Sequence, residues 1–545
     1  MRKHLLALLV ILSITNGFSA VSYFFSVEFA NKNGTPYTLI NPSEYLTARS
    51  IARRASFGIS IDSTDLPVNK SYLAVLKDSG LVVHSVSKWL NRATIYTTDS
   101  SIINVVKLMP FVKSTQFTGK LDPINLAPHA PLKSKAETIV TDYTGDNQIN
   151  EINGKYLHNQ GYTGKGMYIG VLDGGFLNVH INPGFDSLRL QGRLLKAKNI
   201  AHPGRTVYQG DNHGALVLST MAGNLVSSGT FRGTAPHADY CLIITEVGGS
   251  ESLFETDFWV SGIEYADSLG VDIINSSLGY HTFDIPSLNY NYSQMTGKVI
   301  RSSIAATMAA HKGIVVTVSQ GNDALKTWKY LSSPADADEV FAVGGLQSGI
   351  PSTFSSYGPS YDGRIKPDIC AKATSTTLIE TNGTISCYQN GTSFASPIIA
   401  GMLACLMQHY KQMNPNPNLF DFRQAVIKSG SLYSSPTEQM GYGLANFMVA
   451  DDYLKSLSNV ANNAKDKNEL LSIRQSGKEL ILMKTNGNFG KNMKIRIHNS
   501  SGALIYSRTL TDDITYTSLP SITSGIYLIN IFTETEQNAQ KIAFR

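Results

Sequence analysis

The stretch "GMYIGVLD", residues 166–173, joins a run of apolar and β-branched side chains to an aspartate that two glycines follow. A short apolar run that ends at a turn is typical of a strand buried on both faces of a parallel sheet. Similar runs follow along the chain, each leading into a glycine-containing turn or a helical pattern, at 240–247, 271–279, 313–322 and 340–346. Residues 150–457 are therefore predicted to form an α/β domain built on a parallel sheet.

The segments on either side have different patterns. Residues 21–117 alternate as helix, strand, strand, helix and strand, with "FGISI" (57–61) as a further candidate strand, which predicts a small α+β domain. Residues 118–149 and 458–469 are rich in polar residues and are predicted to be linkers. Residues 470–545 contain short alternating strands, which predict a β-sandwich.

The amino terminus, residues 1–20, has a basic start, an apolar run and small residues at its end. This pattern predicts a secretory signal peptide, because the apolar run is too short to span a bilayer. No later segment offers 18 uninterrupted apolar residues, so no transmembrane segment is expected.

A formal net charge of +5 over 545 residues, without a block of lysine and arginine, does not indicate a nucleic-acid partner.

The four cysteines do not form a disulfide scaffold, since a chain of this length can stabilise itself by burial. Cys370 and Cys387 could pair in an oxidising compartment. Cys241 and Cys405 lie in apolar runs and are expected to be buried.

Residues suited to acyl transfer lie at the ends of predicted strands and helices. This chemistry needs a nucleophilic hydroxyl, a base, a carboxylate that orients the base, and donors for the oxyanion. The sequence offers one candidate for each of these, in the order Ser393, His213, Asp173 and Asn322. Singly, each also has an ordinary structural explanation as a turn, loop or cap residue, and Ser393 could cap a helix whose first turn accepts Pro397. Together they favour catalysis.

Four blocks resemble the signature blocks of the subtilisin-like serine proteases, or subtilases: "GVLDGGF" (170–176), "NHGALV" (212–217), "SQGND" (319–323) and "NGTSFASP" (390–397). The resemblance covers about 155–450 and includes the chain order Asp, His, Ser. It implies that Ser393 is the nucleophile, that His213 is the general base and acid, and that Asp173 orients His213. It also implies that Asn322 and the backbone N–H of Ser393 bind the oxyanion.

The same resemblance extends to substrate binding. "NSSLG" (275–279) is similar to the family segment that pairs with extended substrate, which implies that Ser277, Leu278 and Gly279 hold a peptide by β-pairing. The chain departs from the family pattern at a few positions: Gly174 replaces the usual Thr or Ser, Ala215 replaces Thr, and Ser319 and Gln320 replace small alanines. None of these departures removes a catalytic group, so they bear on the rate and on the shape of the pocket more than on activity itself.

The flanking regions resemble parts of secreted subtilases. Residues 21–117 are similar to propeptide domains, which assist folding and block the site until cleaved; an ordinary accessory domain is the alternative. Residues 470–545 resemble the C-terminal sorting domains of type IX secretion in certain Gram-negative bacteria; a carbohydrate- or protein-binding sandwich is the alternative. The partners implied are protein or peptide substrates, the propeptide itself and the secretion machinery. The implied location is outside the cell or at its surface, after export through the periplasm of a Gram-negative bacterium.

No cofactor is required for the chemistry that the resemblance implies. A structural calcium ion lacks a clear motif, because the acidic stretches at 184–189 and 333–339 do not have the ligand spacing of a calcium loop and are expected to lie on the surface.

Two other functions fit the pattern less well. A non-enzymatic binding module with a subtilase fold would be expected to lack a triad member, and none is missing. An α/β-hydrolase esterase needs GxSxG and the order Ser, Asp, His, whereas this chain has GxSxA and only His409 and His498 after Ser393.

Overall fold

A computed structural model describes residues 20–122, 144–225, 231–466, 471–476, 479–484, 493–499, 502–510, 514–518, 525–532 and 537–544. The predicted signal peptide therefore falls almost wholly outside the described residues. The chain divides into two compact units, residues 1–454 and 455–545. None of the helices in the described ranges combines the length and the hydrophobicity that a bilayer crossing needs.

The N-terminal region is an antiparallel sheet with helices. Its elements are β1 (Ser22–Phe29), α1 (Ala48–Ser56), α2 (Lys70–Asp78), β2 (Val82–Ser87), β3 (Arg92–Thr97), α3 (Ile103–Val106) and β4 (Val112–Leu121). The strand order is β2-β3-β1-β4. Residues 57–61 form no strand, so that expectation was wrong, and the first strand is β1 instead. Strand β4 continues to Leu121, inside the segment predicted as a linker.

The second region is the predicted α/β domain. Its elements are α4 (Asp146–Glu151), α5 (Lys155–Asn159), β5 (Tyr168–Asp173), α6 (Asp186–Leu190), β6 (Leu194–Asn199), α7 (His213–Ala222), β7 (Asp239–Ile244), α8 (Leu253–Leu269), β8 (Ile273–Ser276), α9 (Arg301–His311), β9 (Val315–Ser319), β10 (Phe341–Gln347), β11 (Ile350–Pro351), β12 (Ile369–Lys372), β13 (Thr376–Ile379), β14 (Ile385–Gln389), α10 (Thr392–Met413), α11 (Leu419–Lys428) and α12 (Phe447–Asp466). Helix α12 extends through most of the predicted 458–469 linker.

Within the main sheet the strands lie in the order β11-β10-β9-β8-β5-β7-β6, and β12 pairs with β10. The pairs from β6 to β10 are parallel. All six residues of β5 are buried, which explains its continuous apolar sequence. Parallel strands place their carboxyl ends at one edge, and polar residues that follow β5, β8 and β9 therefore meet there.

The N-terminal region packs against α8 and α9 through buried charges. Asp267, near the carboxyl end of α8, lies 2.6 Å from the Arg53 guanidinium and 2.7 Å from that of Arg54. Arg54 also contacts Asp65 at 2.7 Å, and Asp65 lies 3.0 Å from the ammonium group of Lys312. Cations and carboxylates therefore alternate across this interface, and each of them is buried.

The C-terminal unit contains antiparallel strands in two sheets. The strands are β15 (Leu471–Ser476), β16 (Glu479–Lys484), β17 (Met493–Asn499), β18 (Leu504–Leu510), β19 (Ile514–Ser518), β20 (Gly525–Phe532) and β21 (Gln537–Phe544). One sheet has the order β15-β16-β19 and the other has the order β18-β17-β20-β21.

None of the four cysteines, all of which lie within the described ranges, forms a disulfide bond. Cys370 is buried and donates to the carbonyl of Met440 at 3.3 Å instead of bonding to Cys387. Cys241 and Cys405 are buried, as expected from their apolar neighbours.

Candidate active site

Asp173 and His213 meet at the carboxyl edge of the sheet. Asp173 is the last residue of β5, and His213 is the first residue of α7. The Asp173 Oδ1 atom lies 2.7 Å from His213 Nδ1 and accepts the backbone N–H of Gly174 at 2.8 Å. Gly214 allows this approach, because a Cβ atom there would lie 2.8 Å from the Cβ of Asp173. The sequence therefore folds so that a buried carboxylate fixes the orientation of a histidine ring.

This pair changes the acid–base properties of both groups. Burial raises the pKa of Asp173, while His213 opposes that rise. Burial alone would lower the pKa of His213, but the Asp173 carboxylate outweighs it and raises the pKa of His213 to about 9. The His213 side chain keeps 21% of its surface exposed, so a proton can reach it from the cleft.

Ser393 is the second residue of α10 and does not cap the helix. The N-cap is Gly391, whose φ of 152° suits glycine. Pro397 is four residues beyond Ser393 and lacks the N–H that would normally bond to the Ser393 carbonyl. That carbonyl accepts the hydroxyl of Ser277 at 2.8 Å instead. Pro397 was expected around the first turn, but it is the sixth residue of α10 and lies inside the helix, where it leaves the Ser393 carbonyl available for this contact.

The Ser393 hydroxyl itself points to the Ser277 carbonyl at 3.5 Å. Among the described residues it forms no hydrogen bond with His213. The two residues are nevertheless neighbours, since the ring of Phe394 lies 6.0 Å from the His213 ring, measured between centroids. Such contacts are often long before substrate binds.

Asn322 follows β9 and is held by Thr392. Its Oδ1 atom accepts both the backbone N–H and the hydroxyl of Thr392, each at 2.9 Å. An N–H donor requires the oxygen on that side, so the amide Nδ2 faces the other way. A Cβ atom on Gly391 would lie 3.6 Å from Nδ2, which places the amide beside the start of α10. The N–H of Ser393 lies in the first turn, where a helix offers no internal partner.

The residues predicted to bind substrate follow β8 directly. Ser277 is buried, Leu278 is half-buried and Gly279 is exposed. Neither Leu278 nor Gly279 makes a backbone hydrogen bond to another described residue. A short unpaired edge is therefore present beside Ser393.

Two further acidic residues, Asp211 and Glu246, lie near His213 and belong to none of the residues predicted for the site. The Asp211 carboxylate accepts the backbone N–H of His213 at 2.8 Å. Glu246 accepts the hydroxyl of Tyr280 at 2.5 Å, and burial raises the pKa of Glu246 to about 7. Both residues contribute, after Asp173, to the raised pKa of His213. Only the position of Asp211, two residues before His213, could have indicated from the sequence that it lies beside the histidine.

The acidic stretch 333–339 is not wholly on the surface, contrary to expectation. Asp336 is buried and accepts the hydroxyl of Ser303 and the backbone N–H of Gly297. Protein donors therefore satisfy this carboxylate. Within the described ranges no group of three or more His, Cys, Asp or Glu side chains is arranged to hold a metal ion.

Comparison with family profiles divides the chain into three matches. Residues 164–443, more than half of the chain, match the subtilase family. Residues 25–136 match the peptidase S8 propeptide domain of Bacteroidota, and residues 478–545 match the secretion system C-terminal sorting domain. The last match indicates secretion or display at the cell surface.

Individual relatives agree with these matches. Subtilisin NAT of Bacillus subtilis subsp. natto is 28% identical over 306 residues, which are 55% of this chain and 70% of that protein. A thermostable alkaline protease of Halalkalibacterium halodurans is 25% identical over 370 residues, 68% of this chain and 88% of that protein.

Among solved structures, the epidermin leader peptide processing serine protease of Staphylococcus aureus shares the fold, with a TM-score of 0.53 and 18% identity over 79% of this chain and 100% of that chain. The described architecture, the family match and these relatives lead to one assignment. The chain belongs to the subtilase family and is a serine endopeptidase that carries an S8 propeptide domain and a C-terminal secretion sorting domain.

Proposed function

We propose that the chain hydrolyses peptide bonds with Ser393 as nucleophile, His213 as general base and acid, and Asp173 as the carboxylate that orients His213. The observation that carries this proposal is the 2.7 Å contact between Asp173 Oδ1 and His213 Nδ1. Because Nδ1 is engaged, Nε2 is the nitrogen left to take a proton from serine. Rotation about the Cα–Cβ bond of Ser393 would move its hydroxyl from the Ser277 carbonyl to Nε2.

The reaction would proceed in two steps. The Ser393 Oγ atom attacks the substrate carbonyl carbon while His213 takes the hydroxyl proton. The resulting oxyanion accepts hydrogen bonds from Asn322 Nδ2 and from the N–H of Ser393. His213 then gives its proton to the leaving amine, which leaves an acyl-enzyme ester. A water molecule, deprotonated by His213, attacks that ester and releases the acid and the serine hydroxyl.

Substrate would lie extended along Ser277, Leu278 and Gly279. The free backbone groups of Leu278 and Gly279 are suited to pairing with a peptide strand. We propose that the substrates are proteins or peptides, and that no cofactor takes part in the chemistry.

The remaining regions would control when and where this site works. We propose that residues 21–117 act as the propeptide, that 118–149 link it to a peptidase domain at 150–457, and that residues 458–469 lead to the sorting domain at 470–545. Residues 1–20 would direct export, and the sorting domain would contact the secretion machinery after passage through the periplasm of a Gram-negative bacterium. The matches to a propeptide and a sorting domain support these assignments.

Replacement of the nucleophile tests the proposal. Ser393→Ala should abolish peptide hydrolysis and labelling by a serine-directed phosphonate, and its precursor should keep the propeptide attached if maturation is autocatalytic. Ser429→Ala is a matched control, because this buried serine at the end of α11 donates to the Val426 carbonyl at 2.7 Å and accepts the backbone N–H of Asn446 at 3.1 Å, with no contact to the proposed catalytic residues. The control should label normally. Full labelling of Ser393→Ala would refute the assignment.

A further inference from the structure

A buried side-chain amide is connected to the backbone of the proposed nucleophile. Asn275 is the third residue of β8 and is fully buried. Its Nδ2 atom donates to the hydroxyl oxygen of Ser277 at 3.2 Å, and that hydroxyl donates to the Ser393 carbonyl at 2.8 Å. Two successive hydrogen bonds therefore lead from a side chain inside the sheet to the backbone of Ser393.

The oxygen of the same amide contacts two hydroxyl groups. Ser396, on α10, donates to Asn275 Oδ1 at 2.8 Å. The hydroxyl of Thr317, on β9, lies 3.3 Å from Asn275 Oδ1 and 2.9 Å from the Ile274 carbonyl. Ser396 and Thr317 are both fully buried. The amide of Asn275 thus joins β8 to β9 and to α10, the helix that carries Ser393.

The chemistry of the three groups fixes the direction of the two hydrogen bonds. A serine hydroxyl has a single proton to donate, and an amide nitrogen can only donate. Because Asn275 Nδ2 donates to the Ser277 oxygen, the proton of Ser277 is left for the Ser393 carbonyl. An acceptor in place of Nδ2 would compete for that proton. The contact with Ser393 therefore depends on a donor at position 275.

The Ser393 carbonyl needs this partner because Pro397, inside α10, has no N–H to offer it. A buried carbonyl that loses its donor is costly, so the peptide group of Ser393 would tilt to find another partner. The Ser393 hydroxyl belongs to the same residue and would move with that tilt. A misplacement of about 1 Å at a reacting group lowers a rate about 100-fold. The position of the nucleophile is thus sensitive to the Ser277 proton.

We propose that Asn275 is a positioning residue for peptide hydrolysis: it orients the Ser277 hydroxyl, which in turn fixes the backbone of Ser393. This inference rests on the proposed function, in which Ser393 is the nucleophile. Asn275 acts through Ser277 and touches no reacting atom. Its replacement should lower kcat more than it changes KM, because the backbone groups of Leu278 and Gly279 that would pair with substrate are left in place.

A double-mutant cycle on the mature enzyme tests this role. Asn275→Ala should lower kcat about tenfold or more and change KM less than about threefold. Ser277→Ala should lower kcat at least as much, and adding Asn275→Ala to it should cause little further loss, because the contact with Ser393 is already broken. An asparagine that only stabilises the fold would give losses that multiply. Thr317→Val is the matched control, since it removes another contact of the same amide and should leave kcat within about threefold of the wild-type value.

The outcomes separate this inference from the proposed function. Undiminished hydrolysis by Ser393→Ala would overturn the proposed function. With Ser393→Ala inactive, an unchanged kcat in folded Asn275→Ala, or losses that multiply in the double variant, would overturn the role of Asn275 alone.

If Asn275→Ala does not fold, Asn275→Asp replaces it, because the two side chains have the same shape. Once ionised, the new carboxylate has no proton for Ser277 and accepts the Ser277 proton instead. The kcat of Asn275→Asp relative to wild type should therefore fall as the pH rises. A ratio that does not change with pH would overturn the inference.

Discussion

Two fully buried carboxylates of the catalytic domain, Asp173 and Asp267, face partners of different chemistry. Asp173 lies 2.7 Å from an imidazole, and Asp267 lies 2.6 and 2.7 Å from the guanidinium groups of Arg53 and Arg54. An imidazole loses its proton within the ordinary pH range, whereas a guanidinium group does not. The same side chain, equally buried, therefore faces a partner that can gain and lose a proton at one place and a permanently charged partner at the other.

The location of each carboxylate strengthens this contrast. Asp267 lies in the last turn of α8, where the helix dipole disfavours a negative charge, and the cations that contact it, Arg53, Arg54 and Lys88, all come from the N-terminal region. Asp173 has its partner within the catalytic domain. The ion pairs of Asp267 thus depend on the propeptide region, whereas the partner of Asp173 does not come from that region.

The largest expected effect comes from Asp173→Asn. An amide removes the charge that orients His213 and stabilises its protonated form, so kcat should fall about 10⁴-fold while the fold persists. Steady-state kinetics on a peptide substrate measure this loss. The exposed Asp338 provides a control, because Asp338→Asn should leave kcat unchanged. A fall of less than tenfold for Asp173→Asn would mean that Asp173 does not serve the reaction.

A smaller effect is expected at the other carboxylate. Asp267→Asn leaves Arg53 and Arg54 buried without their shared partner, and breaking a buried ion pair costs about 3–5 kcal/mol. In the uncleaved Ser393→Ala chain, hydrogen exchange of the α1 amides should therefore accelerate at least about 100-fold. Asp272→Asn is the matched control with a weaker effect, since Asp272 also contacts Lys411 of its own domain and its N-terminal partner, Arg49, is partly exposed. Equal exchange rates in Asp267→Asn and Asp272→Asn would show that Asp267 has no special role in holding α1.

The third prediction is a gradual change of kcat/KM with pH. The Asp173 carboxylate raises the pKa of His213 to about 9, and a general base must be unprotonated to act. The value of kcat/KM should therefore rise about tenfold per pH unit below that pKa and level off above it. A pH–rate profile of the mature enzyme measures this. Residual activity of Asp173→Asn should show a lower midpoint, and an identical midpoint would show that Asp173 does not set the pKa.

Much of the site was predictable because its residues lie in short motifs at strand ends. The runs that became β5, β7, β8, β9 and β10 are apolar enough to be recognised as buried strands. Strand β6, "LLKAKN", was missed because its lysines are exposed and mask the strand pattern. Strand β1 and helix α1 were also missed, and residues 57–61 were assigned to a strand that does not form.

Contacts between distant segments could not be predicted from the sequence. Nothing in the pattern around Ser277 indicates that its hydroxyl binds the Ser393 carbonyl, because that contact depends on how the two segments pack. The pairing of Arg53 and Arg54 with Asp267 has the same origin, since charged residues on a helix are usually solvent-exposed. The periodicity of apolar residues predicts helices and strands. The chemistry of the residues at their ends can be interpreted only when the fold has brought those ends together.

Pro397 changes how the backbone of Ser393 is held. Because it cannot donate an N–H, the Ser393 carbonyl is anchored by the Ser277 hydroxyl and not by its own helix. The backbone of Ser393, the proposed nucleophile, is thus coupled to the segment beside which we propose that substrate lies. When that segment shifts to accommodate a peptide, it either carries Ser393 along or breaks a 2.8 Å hydrogen bond. If the proposed roles hold, this hydrogen bond would keep Ser393 aligned with the bound peptide.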